Sequence, residues 1–179
     1  MRKLRKAQKT ALGGVAAALS AVLMLSEGLL PVLMYVMPIL TGLIVMFAAD
    51  IINKKYAFGV FAVTSLISML FSVDKEAALT YITFFGYYPL LKDVYERLPK
   101  IAAWLAKLVN FNAATVLTAL TAIYIFGIPA EDYGGFGRYS ALILLAMANL
   151  VFVLYDISLT KNGARFKNAV RKTVKRIQK

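Results

Sequence analysis

The 179-residue chain is 60% hydrophobic and only 17% charged, with a mean hydropathy of +0.70. That composition excludes an ordinary soluble domain and points to an integral membrane protein. Cysteine and histidine are both absent, which excludes disulfides, thiolate metal sites and the usual near-neutral acid or base. The net charge of +12 does not imply nucleic acid, because the basic residues sit in tails and short connections between apolar runs.

The basic N-terminus MRKLRKAQKT leads into an apolar run from Ala11 to Leu25, with Thr10 as the expected N-cap. The pair superficially resembles a signal peptide, but cleavage is not expected. It would leave an odd number of spans and put the two charge-rich ends on opposite sides. Span one carries Gly13, Gly14, Ala17, Ala18 and Ala21, giving the small-xxx-small pairs Gly14/Ala18 and Ala17/Ala21. Such pairs let helices approach closely, either within this chain or against a second protein.

Between Ser26 and Met37, the residues Glu27, Gly28 and Pro31, with Pro38 just beyond, punctuate an apolar run. Either span two starts at Leu29 and is kinked, or an apolar loop covers the outer face and the span starts at Pro38. The second reading is preferred, because proline suits a first helical turn and breaks a later one. Span two is expected to end near Ile52, followed by a basic turn at Asn53, Lys54 and Lys55. Span three covers Tyr56 to Ser72, and Val73 to Glu76 form a polar turn with N-cap character.

Span four, Ala77 to Lys92, reads AALTYITFFGYYPLLK. At helical spacing Tyr81, Phe84, Phe85 and Tyr88 form one stripe, which is either helix packing or the wall of a cavity for a flat, apolar ligand. From Lys92 to Lys107 charges alternate with apolar residues, as in an interfacial segment, with Tyr95 and Trp104 at headgroup level and Lys107 snorkelling. Pro99 is expected to start a helix that continues as span five, from about Leu108 to Phe126. Within it Asn110 and Asn112 are expected to bridge helices.

The connection GIPAEDYGGFGR reads either as an ordinary solvated loop or as a segment whose glycines let Tyr133 and Phe136 swing over a site. Span six runs from about Tyr139 to Leu159, with Asn149 at mid-membrane and Asp156 expected as a solvated carboxylate at the cytoplasmic edge. After a stop at Asn162 and Gly163, the tail places Phe166, Val170 and Ile177 on one face with basic residues opposite. It should lie on an anionic leaflet, each basic residue near the surface adding about 1 kcal/mol. The expected fold is therefore all-α: residues 1–160 form a compact bundle of six transmembrane helices, and residues 161–179 a cytoplasmic basic amphipathic helix.

Six spans place 18 of the 21 Lys and Arg residues on one side, and Lys75, Arg138 and five acids on the other. The positive-inside rule then puts both termini in the cytoplasm of a multi-pass cell-membrane protein.

Six short spans, an apolar loop after the first, the AxxxA-like pair Ala17 and Ala21 with Gly14 and Ala18 beside it, Pro38 entering span two, and a ring-lined fourth span together resemble the substrate-binding S components of energy-coupling factor transporters. The pattern covers roughly Ala11 to Leu159. The resemblance implies that Gly14, Ala17, Ala18 and Ala21 dock to a transmembrane coupling subunit, and that separate ATPase subunits supply energy. It also implies an outward-opening site for a small organic, vitamin-like ligand, at Thr80, Tyr81, Thr83, Phe84, Tyr124, Tyr133, Arg138 and Tyr139. The chain has no GxxxxGK[ST] phosphate loop of its own, and neither a cofactor nor an enzymatic activity is expected. The alternative is a non-catalytic membrane scaffold acting through helix packing and its basic tail.

Overall fold

The computed structural model describes the backbone of residues 5–29, 33–128 and 139–177, with side chains for these residues except 141, 162 and 164–177. Helices α1 (Lys6–Leu25), α2 (Leu33–Ile51) and α3 (Lys54–Phe71) come first. A broken run follows, made of α4 (Lys75–Thr80), a π-helical turn (Tyr81–Phe85) and α5 (Tyr88–Tyr95). The chain ends with α6 (Lys100–Tyr124) and α7 (Ser140–Ile177). No strand occurs among the described residues. Helices α1, α2, α3, α6 and the Leu142–Lys161 part of α7 are each long and apolar enough to cross a membrane. Large apolar side chains such as Val15, Leu66, Val109 and Leu150 stand exposed on these helices, an arrangement compatible with a multi-pass protein in lipid.

Local chemistry sets most helix starts. The Asn53 side-chain oxygen accepts the Tyr56 N–H at 3.0 Å and starts α3. Asp74 Oδ1 accepts the N–H groups of Glu76 at 2.8 Å and Ala77 at 3.3 Å and starts α4. Pro99 immediately precedes α6, as expected of a residue that cannot continue the preceding helix. Three expected boundaries are corrected. Helix α1 begins one turn before Thr10, where the Arg5 N–H bonds the Gln8 side chain at 3.0 Å, and Thr10 bonds back to the Lys6 carbonyl instead of capping. Helix α2 begins at Leu33 with Pro38 inside it, because a proline in the second turn forfeits a single backbone bond while its ring is buried. The stop expected at Asn162 and Gly163 does not occur. A lone glycine costs a helix only about 1 kcal/mol, and Gly163 packs on Met46, so α7 continues to Ile177.

The broken run lies along α3 from end to end. At one end Lys75 Nζ donates to the carbonyls of Met69 at 3.1 Å and Ser72 at 2.9 Å, closing the C-terminus of α3. At the other, Lys54 Nζ, in the first turn of α3, donates to the Leu90 carbonyl at 3.1 Å and pairs with Asp93 at 2.8 Å. The 18 residues of α3 correspond to about 27 Å of helix, and the contacts at its two ends set the broken run beside that whole length. Its π turn is closed by the Gly86 N–H bonding the Tyr81 carbonyl at 2.8 Å, five residues back.

The ring stripe is core. Tyr81, Phe84, Phe85 and Tyr88 are all buried. Phe84 stacks on Tyr88 with centroids 4.6 Å apart and meets Phe111 at 4.9 Å and Phe152 at 5.5 Å. Phe85 meets Tyr155 edge-on at 4.9 Å, and Tyr81 leans on Phe61 at 5.8 Å. Each such pair contributes about 0.5–1.5 kcal/mol beyond area burial, so the cluster fastens the broken run to α6 and α7. Polar bridges add to it. Asn112 and Asn149 exchange reciprocal amide bonds of 3.0 and 2.9 Å between α6 and α7, and Asn110 accepts the Tyr87 hydroxyl at 3.1 Å, as expected of asparagines within spans.

Candidate solute groove and helix-docking face

The bundle has two chemically distinct ends. Lys54, Lys55, Thr10 and the α5–α6 connection share one, and Glu27, Asp74, Lys75 and Ile128 gather at the other. At this second end an open groove of about 560 Å³ lies between the end of α1, the start of α2, the α3–α4 turn and the end of α6. Met34, Val73, Phe126 and Ile128 give it apolar walls, and Glu27, Asp74 and Lys75 supply its charges. The Glu27–Leu29 helical turn follows the end of α1, where the Ser26 N–H closes the last turn. It lays Gly28 against Val73, whose Cβ sits 3.2 Å from where a Gly28 side chain would begin.

Glu27 is only 1% exposed, and neither carboxylate oxygen has a hydrogen-bond partner. The Asp74 main-chain N–H approaches without reaching bonding geometry. Asp74 spends Oδ1 on the α4 cap, and Lys75 spends its ammonium on the α3 carbonyls. An enclosed carboxylate without a donor is an unmet demand, since desolvating such a group costs several kcal/mol unless something compensates it.

A second groove, of about 670 Å³, runs along α1 and α3. Gly13, Gly14, Ala17 and Ala18 of α1 and Tyr56, Gly59 and Val63 of α3 line it. A Cβ added at Gly14 or Gly59 would meet nothing within 4 Å, so both backbones lie open. Of the four expected docking residues, Gly14 and Ala18 are exposed and Ala17 half-buried along this groove, whereas Ala21 is buried and outside its lining. The small-residue face is thus used twice: Gly13 packs on Tyr56 within the chain, and the Gly14–Ala18 edge remains uncovered.

The residues expected to bind substrate do not converge. Tyr81 and Phe84 lie in the core, and the Thr83 hydroxyl is held by Thr118 at 2.7 Å. Thr80 is half-buried, while Tyr124 and Tyr139 are 81% and 62% exposed. None of these six lines the end groove, and Tyr133 and Arg138 lie outside the described residues. Sequence reading missed Glu27, which it treated as loop punctuation.

It also missed a buried ion cluster at the basic end. Asp156 is 4% exposed, correcting the expectation of a solvated carboxylate. Its Oδ1 accepts the Tyr88 hydroxyl at 2.6 Å and the Lys92 ammonium, and its Oδ2 accepts Lys107 at 3.0 Å. Glu96 lies 3.2 Å from Lys92 and 3.9 Å from Lys107. Lys107, expected to snorkel, is instead 6% exposed, because a carboxylate waits for it inside the bundle. Every charge here has a partner, so the cluster ties α5, α6 and α7 together and leaves no site open to a ligand. In comparison with known proteins, no family matches the chain, and no curated protein or solved structure matches it.

Proposed function

We propose that the chain is a membrane-embedded binding subunit that takes a small organic solute, of the size of a vitamin or similar micronutrient, into the groove at its acidic end. The observation that carries this reading is the groove itself. Its volume of about 560 Å³ falls within the 300–1,000 Å³ of small-molecule sites, its walls are apolar and its few charges converge. With the broken run counted as a crossing the protein spans the bilayer six times, the basic end and both termini are cytoplasmic, and the groove opens outward. Continuation of α7 past Gly163 carries the basic tail into the cytoplasmic interface, beside anionic lipid.

Energy for uptake comes from partner subunits, a transmembrane coupling protein and ATPases, as in the S components that the sequence pattern resembles. The uncovered Gly14–Ala18 edge is the docking surface this reading assigns to the coupling protein. Gly14→Leu or Ala18→Leu is expected to leave folding intact, since both positions face open space, and to abolish co-purification of the partner in mild detergent. Unchanged co-purification would remove this surface from the proposal.

The solute reading is tested by purifying the full chain from its native membrane and identifying retained small molecules by mass spectrometry. Val73 is 81% exposed and sits in the groove wall, so Val73→Trp fills the groove at little cost to the fold. The expected result is a retained compound that the variant loses. Equal retention by both chains, or none by either, would leave the second reading, a scaffold acting through the α1–α3 face, as the better account.

A further inference from the structure

The outer groove holds one more clue, the enclosed carboxylate in its wall. We infer that the groove selects a solute carrying a protonated amine on an apolar body, with the ammonium seated on Glu27 and the body against Met34, Val73 and Phe126. The inference rests on the solute-binding reading above and adds the chemical class of the ligand.

Glu27 lacks a hydrogen-bond partner. Its two oxygens accept no hydrogen bond, and it is 1% exposed, so bulk water does not compensate its charge. The nearby cation gives it charge but no hydrogen bond, because Lys75 donates to the carbonyls of Met69 and Ser72. Those carbonyls end α3, where the helix dipole is negative and a cation is favoured. Asp74 adds a second carboxylate, committed through Oδ1 to capping α4. The groove therefore gathers two carboxyl groups against one ammonium, and that ammonium already donates to two carbonyls.

An incoming ammonium supplies what is missing. Its N–H groups form charge-assisted bonds to a carboxylate already stripped of water, an interaction stronger than one between neutral groups. A bare inorganic cation would satisfy the charge but leave apolar walls and several hundred Å³ unfilled. A carboxylate ligand would face two carboxyl groups, and a neutral ligand would offer Glu27 no charge-assisted bond.

The test uses the full chain in detergent and three probes of one shape: phenethylamine, phenethyl alcohol and 3-phenylpropionate, titrated calorimetrically, with sodium chloride as the inorganic competitor. Phenethylamine is expected to bind at least tenfold more tightly than either counterpart. Glu27→Gln should erase that preference, and Val73→Trp should abolish binding. Gln has the same shape without the charge; should the variant nevertheless fail to fold, probe selectivity in the unaltered chain together with Val73→Trp decides the matter.

Amine selectivity that persists in Glu27→Gln overturns the inference, as does sodium displacing the amine at equal concentration. Tight binding of the alcohol or the carboxylate, blocked by Val73→Trp, overturns the amine assignment and leaves the solute reading standing. Binding of no probe overturns the amine assignment too, and the solute reading falls only if native purification also retains nothing.

Discussion

Asp156→Asn is expected to destabilise the protein by about 3–5 kcal/mol, one of the largest losses available to a single isosteric change in this chain. The reason lies in its neighbours. Lys92 and Lys107 are 7% and 6% exposed, and both ammonium groups end on the Asp156 carboxylate. An amide in its place leaves two buried positive charges facing each other, with the half-exposed Glu96 as the acid still paired with them. It also exchanges a charged acceptor of the Tyr88 hydroxyl for a neutral one.

A rescue separates charge from packing. Buried ion networks can often be exchanged whole for apolar residues at little cost, so Lys92→Met and Lys107→Met added to Asp156→Leu should recover most of the loss. The measurement is the unfolding midpoint in detergent, followed by the signal of Trp104, whose ring lies 5.5 Å from Lys107 Nζ. Wild-type stability for Asp156→Asn would show that the cluster does not hold the bundle. Failure of the triple variant to regain stability would show that the geometry of the cluster, and not charge balance alone, is required.

This cluster also shows where reading a sequence stops. Helix existence was legible from apolar run lengths, and the cap in the Val73–Glu76 turn from the Asp74 side chain, because both are local properties. The burial of Asp156 was not. Its partners Lys107, Lys92 and Tyr88 lie 49, 64 and 68 residues away, and a carboxylate near a helix end looks solvated until the fold brings ammonium groups to it. Glu27 failed in the same way, since what encloses it comes from the α3–α4 turn and the end of α6.

The aromatic stripe was legible as one face but not in its use. Spacing says that Tyr81, Phe84, Phe85 and Tyr88 look the same way, whereas only Phe111, Phe152 and Tyr155 decide that they look into packed rings instead of an open site. Helix interruption was hidden as well. Nothing in YITFF announces a π turn, which α2 approaches closely at one point.

That point supplies the second large effect: Gly42→Ala is expected to cost about 3 kcal/mol, the upper part of the range for overpacking a core. A Cβ on Gly42 would fall on the Tyr155 hydroxyl and on the Phe85 carbonyl. The hydroxyl could turn aside, but the carbonyl is main chain. It belongs to the π turn and accepts the Tyr155 hydroxyl at 3.3 Å, so moving it breaks that bond and shifts the Phe85 and Tyr155 rings that fasten the broken run to α7. Separating α2 from the run instead would open a gap beside Met46 and Phe85, and lost contacts in such a gap are not regained from lipid on the far side of the helix. Gly59→Ala is the internal control. A Cβ there meets nothing within 4 Å, so alanine should be neutral or should stabilise α3 by up to about 1 kcal/mol through helix propensity. Comparing the two unfolding midpoints in one detergent isolates close approach from propensity, because both substitutions add the same methyl group to a helix. Equal midpoints would mean that the close approach of α2 to the π turn at Gly42 does not limit stability.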